Sequence, residues 1–433
     1  MFPSLFHSSL SPTTSTERIQ IIDIIRGFAL LGILIVNLYS FSHPIEESLF
    51  SFDPKMSVLD QTTTWCILFL AEGKFYPIFS ILFGLGLTLQ MRRFTIKDQS
   101  FILFYCRRLI LLLIVGLFHA YFIWVGDILT LYAVLGLLLI FYRQAQPRTL
   151  LIWVGIWLAI SLFIYLFLIF SFRNESIQVE QFIIDEQELI NAEQAIVNSD
   201  IPIIEPAASE TTILEPIYQI YAQGNFTEIT AQRAREIHSR VIWVDIIGAP
   251  EILALFLLGI YFGRRQLFQK LDDNLAFLRQ LFWWGLGLGI TGNFIYATWS
   301  ITLEQYEPFP LALVVLIAQS VGSLALSLCY IATLILLARQ PYWQLFLRWL
   351  SPVGQMALTN YLTQSLICTF IFYGYGLGLF GQFGITGGVV LALLIYFIQV
   401  ILSTWWMRRF YFGPMEWLWR SGSYMKWQPF YRY

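Results

Sequence analysis

The pattern of hydrophobic positions along the chain is dominated by long apolar runs separated by short polar segments. Runs of this length suit membrane-spanning helices, which need about 20 predominantly apolar residues. Lipid offers the backbone no hydrogen-bond partner, so such runs favour helices. The sequence therefore predicts an all-α fold, a polytopic integral membrane helical bundle of about ten transmembrane helices. The predicted spans are 21–41, 62–90, 107–123, 127–142, 149–171, 243–262, 280–300, 309–338, 352–373 and 385–407.

The polar segments divide the chain into five parts. We expect a cytoplasmic N-terminal tail (1–20), a first membrane half of five spans (21–172), an extracytoplasmic acidic loop with short helices (173–242), a second membrane half of five spans (243–410) and a cytoplasmic amphipathic tail (411–433).

Two segments call for local predictions. The second apolar run is long for one crossing, and we expect it to bend or break at Gly73-Lys74, because glycine weakens a helix and a buried charge must find a partner. In the acidic loop we predict an amphipathic helix at 185–198, a proline-rich break at 201–216 and a second helix at 227–241, with Thr227 as its N-cap.

Composition agrees with a membrane protein, since 57% of the residues are hydrophobic and only 12% are charged. A net charge of −2 gives no indication of nucleic-acid binding, and no ligand spacing predicts a metal site. If the N-terminus lies in the cytoplasm, the predicted spans place most of the 26 Lys and Arg residues on the cytoplasmic side of the membrane. The positive-inside rule therefore predicts an integral plasma (inner) membrane protein with both termini cytoplasmic. Nothing in the pattern predicts an oligomeric state.

Three polar side chains share one side of the first span, IIDIIRGFALLGILIVNLYSFSH. Asp23 and Arg26 are one turn apart, and Asn37 follows Arg26 by eleven residues, which at about 100° per residue returns it to the same side. Such side chains are costly against lipid, so they should face protein or water. We interpret this helix as the wall of a polar cavity. The alternative is an ion pair that only sets depth and packing.

A histidine and a carboxylate occur together in GLFHAYFIWVGDILTLYA, at the turn between two predicted spans. A neutral His119 close to Asp127 could act as a general base whose tautomer the carboxylate fixes. The alternative is that both bond neighbouring helices. Lys74, at the predicted helix break, could hold a substrate anion or a developing oxyanion; otherwise its ammonium extends to the membrane interface.

The segment GQMALTNYLTQSLI carries a broad polar face in which Asn360 and Gln364 are four residues apart. It predicts either a polar wall of a substrate cavity or hydrogen bonding between helices. FGPMEWLWRSGSY follows the last span, where Pro414 can begin a helix and Glu416 and Arg420 are also four residues apart. We expect an amphipathic capping helix there.

Four of these segments resemble the YeiB-like family of bacterial membrane proteins: the opening D-x-x-R-G-x-A-L pattern with its later Asn, the His119 segment, the LTNYL core and the GP-x-EWLWR tail. The first helix is also similar to that of a wider group of transmembrane acyltransferases. Asn37 matches an active-site asparagine of that group in spacing, whereas His43 follows it by fewer residues than the active-site histidine does there.

The resemblance implies transfer of an acyl group from a cytoplasmic donor to an extracytoplasmic or lipid-linked acceptor. It implies an acyl-CoA donor and no tightly bound cofactor, with the lipid bilayer and a small-molecule or lipid-linked substrate as partners. The rival hypotheses are a secondary transporter of a small solute and a non-catalytic membrane scaffold.

The roles that we assign fall into two groups. The catalytic candidates are His119 as base, Asp127 as its orienting group and Asn37 as an oxyanion or substrate donor, and we expect His119 and Asn37 to face one cavity. The substrate-binding candidates are Asp23, Arg26, Lys74, Asn360 and Gln364.

Overall fold

The computed structural model describes residues 19–45, 56–92, 99–196, 210–302 and 309–432. Within these residues the fold is all-α, as predicted, and the extended backbone amounts to one isolated bridge between Phe410 and Tyr431. The helices are α1 (Gln20–Ser42), α2 (Val58–Leu70), α3 (Phe75–Met91), α4 (Gln99–Phe122), α5 (Leu129–Tyr142), α6 (Pro147–Ile196), α7 (Glu210–Gln223), α8 (Phe226–Glu236), α9 (Ile242–Arg264), α10 (Leu275–Thr302), α11 (Phe309–Ala338), α12 (Pro341–Leu347), α13 (Leu350–Gln355), α14 (Ala357–Phe372), α15 (Ile385–Arg409) and α16 (Pro414–Tyr424).

Seven helical segments of the described chain are long and apolar enough to cross a membrane, which makes the protein a polytopic helical membrane protein. They coincide with seven of the predicted spans. The other three predicted spans are also helical: α5 is a shorter apolar helix, 280–300 lies within α10, and 352–373 is divided between α13 and α14. The segments long enough to cross are Gln20–Ser42, Val58–Met91, Phe101–Phe122, Pro147–Ser171, Phe226–Arg264, Pro310–Ala338 and Ile385–Arg409.

The predicted break in the second apolar run is confirmed. Helix α2 ends at Leu70 and α3 begins at Phe75, and between them Gly73 adopts a φ of +76°, which glycine tolerates and other residues rarely adopt. The Lys74 ammonium donates a hydrogen bond to the Leu68 carbonyl, one of the groups that the end of α2 leaves without a helical partner. The charge at the break therefore stabilises the end of the helix.

The predicted helices of the acidic loop need correction. The stretch 185–198 is not a separate helix, because α6 continues without interruption to Ile196. The predicted break at 201–216 is wrong from Glu210 onward, where α7 begins and includes Pro216. Residues 197–209, with the rest of that break, lie outside the described part of the chain, as do residues 1–18 of the predicted N-terminal tail.

The second loop helix begins earlier than predicted. Asn225, not Thr227, is the N-cap of α8: its side-chain oxygen accepts from the Thr227 and Glu228 amides, and Glu228 accepts from the Asn225 amide in return. This reciprocal pair is a capping box, which satisfies more of the amides at the helix start than Thr227 could. A π-helical turn, Ile237–Val241, then joins α8 to α9.

Helix α1 packs against α13 so closely that only glycine fits at the crossing. A Cβ on Gly27 would lie 2.2 Å from the Leu350 carbonyl oxygen, and a Cβ on Gly354 would lie 1.8 Å from the Asp23 carbonyl oxygen. Small residues allow this approach of two membrane helices. The glycine of the Arg-Gly pair in the first span therefore brings the polar end of α1 against the second half of the chain.

We expect Gly354→Ala to lower the stability of the protein by about 1–3 kcal/mol, because its methyl group would overlap backbone atoms that cannot turn aside. The melting temperature of the detergent-purified protein measures this. The matched control is Gly287→Ala, where a Cβ meets no other atom of the described residues within 4 Å and alanine favours the helix. Equal melting temperatures for the two variants would contradict the close packing of α1 on α13.

Candidate functional site

The His119 side chain lies between a carboxylate and a hydroxyl. Its Nδ1 is 2.9 Å from Asp127 Oδ1, and its Nε2 is 2.9 Å from Ser365 Oγ. All three side chains are buried. Because Asp127 and Ser365 engage opposite ring nitrogens, the three form one hydrogen-bonded chain through the imidazole.

Helix ends position two members of this group. His119 lies in the last turn of α4, and Asp127 precedes α5. The second carboxylate oxygen, Asp127 Oδ2, accepts the Thr130 backbone amide at 2.7 Å, which is one of the amides left without a helical partner at the start of α5. This bond fixes the carboxylate, so its other oxygen stays directed at His119. Ser365 comes from α14, in the second half of the chain.

The donor and acceptor roles follow from the chemistry of the groups. An ionised carboxylate only accepts, so the Nδ1 proton of a neutral imidazole lies between His119 and Asp127, and Nε2 is left to accept from the Ser365 hydroxyl. That hydroxyl also lies 3.3 Å from the Tyr361 carbonyl oxygen, an alternative acceptor. A serine on Nε2 and an aspartate on Nδ1 is the arrangement that activates serine in hydrolases and acyltransferases of unrelated folds.

The predicted proximity of His119 and Asp127 is confirmed, whereas their catalytic role stays a prediction. Ser365 was missed by sequence reasoning. It lies 246 residues from His119, and no G-x-S-x-G pattern marks it. The available signal was the polar segment of α14 that contains it, but the sequence does not show which side of that helix meets α4.

A cavity of about 220 Å³ lies beside this group, bounded by parts of α1, α3, α4, α5, α13, α14 and α16. Its wall is largely apolar, with side chains such as Leu30, Phe79 and Leu109. His119, Asp127 and Ser365 do not line it, but Tyr361 does, and the Tyr361 ring centroid is 5.1 Å from that of His119. The cavity therefore reaches the residue that packs directly on the imidazole.

Three arginines line the same cavity: Arg26, Arg108 and Arg420. Arg26 lies 3.4 Å from Asp23, so the predicted pair is present, with the carboxylate buried and the arginine side chain 31% exposed. The Arg108 guanidinium packs 3.6 Å from the Trp419 ring centroid, a cation–π contact that holds it at the cavity wall. An apolar cavity with three guanidinium groups suits a molecule that combines an anionic group with an apolar or flexible part.

The tail helix α16 holds the start of α14 through Glu416. One carboxylate oxygen accepts the Leu358 and Thr359 amides at 2.6 and 3.0 Å, and the other accepts the Thr359 hydroxyl at 2.6 Å. A carboxylate at a helix N-terminus satisfies free amides and complements the helix dipole. Burial raises the pKa of Glu416, and the hydrogen bonds from Thr359 and Leu358 oppose that rise. The predicted capping helix thus caps a specific partner, the helix that carries Ser365.

Lys74 lies away from the His119 group. Its buried ammonium bonds the Leu68 carbonyl and lies 5.3 Å from the Tyr296 ring centroid of α10, and Lys74 does not line the cavity. The carbonyl of Lys74 accepts the Ser327 hydroxyl of α11 at 2.7 Å. These contacts show that Lys74 bonds the groups at the helix break. The structure does not bring it together with the other candidate site residues.

Asn360 and Gln364 face α15 and not the cavity. Asn360 Nδ2 donates to the Val353 carbonyl and to Ser403 Oγ, at 3.1 and 3.0 Å, and Gln364 Nε2 donates to Gln399 Oε1 at 2.8 Å. Their predicted substrate-binding role finds no support in these contacts, since interhelical hydrogen bonds account for both amides.

Asn37 is half-buried and makes no side-chain hydrogen bond to the described part of the chain. Further along α1, Phe41 stacks on Trp124, with ring centroids 4.0 Å apart, and the Trp124 ring lies 6.3 Å from His119. The C-terminal part of α1 therefore approaches the end of α4. The shared cavity of Asn37 and His119 stays a prediction.

Comparison with known proteins gives relatives that cover nearly the whole chain. A family model described as "Protein of unknown function (DUF418)" matches residues 262–426. "Uncharacterized protein YxaH" of Bacillus subtilis is 34% identical, over 98% of each chain. "Uncharacterized protein YeiB" of Escherichia coli is 26% identical, over 94% of this chain and 96% of its own. No solved structure gives a significant match.

Proposed function

We propose that this chain, which belongs to the YeiB-like DUF418 family of membrane proteins, catalyses acyl transfer at Ser365, with His119 as general base. The observation that carries the proposal is the hydrogen-bonded chain from Asp127 through His119 to Ser365. The cavity supports it by giving a substrate a place to lie, because its wall includes Tyr361, whose ring packs on the His119 imidazole.

The reaction proceeds in two displacements. In the first, Ser365 Oγ attacks the carbonyl carbon of a thioester donor while His119 Nε2 takes the hydroxyl proton; the new C–O bond forms, the C–S bond breaks, and the imidazolium returns the proton to the departing thiolate. In the second, a hydroxyl or amine of the acceptor attacks the acyl-serine, gives its proton to Nε2, and Ser365 leaves as the hydroxyl. Asp127 holds the ring and stabilises the imidazolium in both steps.

The donor that this cavity suits is an acyl-CoA. Arg108 precedes His119 by eleven residues on α4, so about 16 Å of helix separates the two positions. A donor that carries phosphates on a long flexible arm can place the phosphates at the arginines and the thioester at Ser365. Arginine is well suited to this role because its planar group donates two parallel bonds to a phosphate.

The orientation of the site follows from the charge distribution. We propose that the arginine end of the cavity faces the cytoplasm of a plasma (inner) membrane protein, with both termini cytoplasmic. A reporter fused after residue 433 or inserted in 266–274 should then read cytoplasmic, and one inserted near Ala207 should read extracytoplasmic. A cytoplasmic signal near Ala207 would show that the number of spans before the loop is wrong.

The second candidate function is secondary transport, which the broken helix α2–α3 favours. Discontinuous helices with a buried charge at the break occur at the binding sites of transporters, and Lys74 lies at such a break. A transporter would not need the Ser365 hydroxyl, so Ser365→Ala should leave transport unchanged. A non-catalytic scaffold, the third class, would need neither the cavity nor the serine.

The direct test is to incubate the purified protein in lipid nanodiscs with a panel of acyl-CoA donors, from acetyl to palmitoyl. Slow release of free CoA, measured by mass spectrometry, is expected even without an acceptor, because water can accept the acyl group. Digestion of the quenched protein should give a peptide that contains Ser365 and one added acyl group. Failure of every donor to be consumed, with membrane extract supplied as a source of acceptors, would contradict the proposal.

Arg108→Gln should raise KM for the acyl-CoA about tenfold or more while kcat changes little, because it removes a charge-assisted hydrogen bond to the donor and not a group at the reacting carbon. The control is Arg107→Gln, which removes the same charge from the neighbouring residue, whose guanidinium donates to the Ser423 carbonyl. Equal KM values for the two variants would mean that Arg108 does not hold the donor.

A further inference from the structure

Arg233 of α8 is fully buried, yet most of its guanidinium has no hydrogen-bond partner among the residues that the structure describes. Nη1 donates to the Tyr121 carbonyl oxygen at 2.9 Å. Nε and Nη2 make no hydrogen bond within the described part of the chain. Leaving buried donors of a charged group unsatisfied is costly, so this arrangement needs a reason.

The two unsatisfied atoms form one edge of the guanidinium. The hydrogens on Nε and Nη2 point the same way, in the fork that binds two oxygens of a carboxylate or a phosphate. The Nη1 bond to Tyr121 leaves this edge intact. One turn earlier on the same side of α8, Thr230 Oγ1 is also buried without a partner in the described residues. Two side chains with unsatisfied donors on one side of a helix indicate a missing acceptor.

The neighbouring groups do not supply that acceptor. The Glu236 carboxylate, one turn further along, accepts the Tyr221 hydroxyl at 2.7 Å and the Gln232 amide at 2.9 Å. The Tyr373 ring centroid lies 5.8 Å from the guanidinium carbon, and the Tyr375 hydroxyl interacts with the guanidinium, yet Nε and Nη2 have no partner in hydrogen-bond geometry among the described residues. These rings give Arg233 an aromatic wall that leaves the fork unpaired.

The position of Arg233 relates it to the proposed active site. Its bond to Tyr121 attaches it to α4 two residues beyond His119, on the loop side of the imidazole, while Arg108 lies eleven residues before it. We propose that Arg233 and Thr230 bind an oxyanion, a carboxylate or a phosphate, and that this oxyanion belongs to the acceptor. The assignment to the acceptor rests on the proposed acyl transfer; the oxyanion site does not.

Binding is tested on the full-length protein in detergent, with inorganic phosphate and acetate as probes and chloride at matched ionic strength as reference. A melting temperature raised by phosphate, by acetate or by both, beyond the effect of chloride, is expected by mass action. The probe that raises the melting temperature, phosphate or acetate, identifies the class of oxyanion. No oxyanion-specific rise in the wild-type protein would overturn the site.

The variants locate the effect. Arg233→Gln should abolish the rise, and Arg233→Lys, which keeps the charge but not the fork, should raise the half-maximal anion concentration about tenfold or more. Arg235→Gln, an exposed arginine on the same helix, should keep the rise. An unchanged response in both Arg233 variants would overturn the proposal. If neither folds, electron density at Nε and Nη2 of the wild-type protein in phosphate or acetate supports the site, and its absence there overturns it.

A triad variant separates the two proposals. Ser365→Ala should keep the oxyanion response in full, because it leaves α8 untouched. If the response is present but no acyl-CoA is consumed, the oxyanion site holds and the acyl transfer fails. If acyl-CoA is consumed but no oxyanion response exists, the acyl transfer holds and the oxyanion site fails.

Discussion

Ser365→Ala and His119→Ala are each expected to lower the rate of acyl-CoA consumption by about 10²- to 10⁴-fold. The serine variant removes the nucleophile, and the histidine variant leaves the serine without a base. Asp127→Asn should lower the rate by a similar factor, because an amide can present its NH₂ group to Nδ1 and favour the wrong tautomer. Steady-state release of CoA by the purified variants measures all three effects.

A double variant tests whether Ser365 and His119 act together or contribute independently to the rate. If the serine and histidine act as one unit, Ser365→Ala combined with His119→Ala should be no slower than the slower single variant. Ser327→Ala is the matched control, a fully buried serine of α11 that bonds the Lys74 and Ser323 carbonyls. If Ser365→Ala is fully active and His119→Ala is inactive, His119 deprotonates the acceptor directly and no acyl-serine forms.

Those features that depend on local sequence could be predicted. Long apolar runs specify helices because the membrane leaves the backbone no alternative, and the break at Gly73-Lys74 follows from a glycine beside a charge. His119 and Asp127 are eight residues apart, at a turn between two helices, so their pairing needs little knowledge of the fold. Composition and local spacing therefore predicted the class of fold and two of the three residues of the candidate site.

Features that depend on the packing of distant helices could not be predicted. The serine that completes the site is on α14, and the sequence gives the depth of a residue in the membrane but not its direction around the helix axis. The same limitation explains why Asn360, Gln364 and Lys74 were predicted to bind substrate. The side-chain amides of Asn360 and Gln364 bond α15, and the Lys74 ammonium bonds a carbonyl at the end of α2. In the loop, Asn225 and Thr227 are both good caps, and the three-residue spacing of Asn225 and Glu228 was the signal that separates them.

Glu416→Ala is expected to destabilise the protein by about 2–4 kcal/mol, because it removes one carboxylate that accepts three hydrogen bonds and leaves two buried amides at the start of α14 without a partner. Glu416→Gln keeps an oxygen in the same place and should cost much less. Unfolding in detergent, followed by intrinsic tryptophan fluorescence, measures the difference. Since α14 carries Ser365, only the alanine variant should also lower activity.

The pH dependence of the wild type against Glu416→Gln tests whether burial dominates at this carboxyl group. Burial raises the pKa of Glu416 above its ordinary value of 4.5, so in the window above that value the folded protein binds a proton that the unfolded chain does not. Stability then falls as pH rises, since the slope of the unfolding free energy follows the protons bound by the unfolded state minus those bound by the folded state. The wild type should therefore lose stability relative to Glu416→Gln as pH rises from 4.5 through the raised pKa. An advantage of the wild type that grows with pH would show instead that the hydrogen bonds from Thr359 and Leu358 stabilise the charged form more than burial disfavours it.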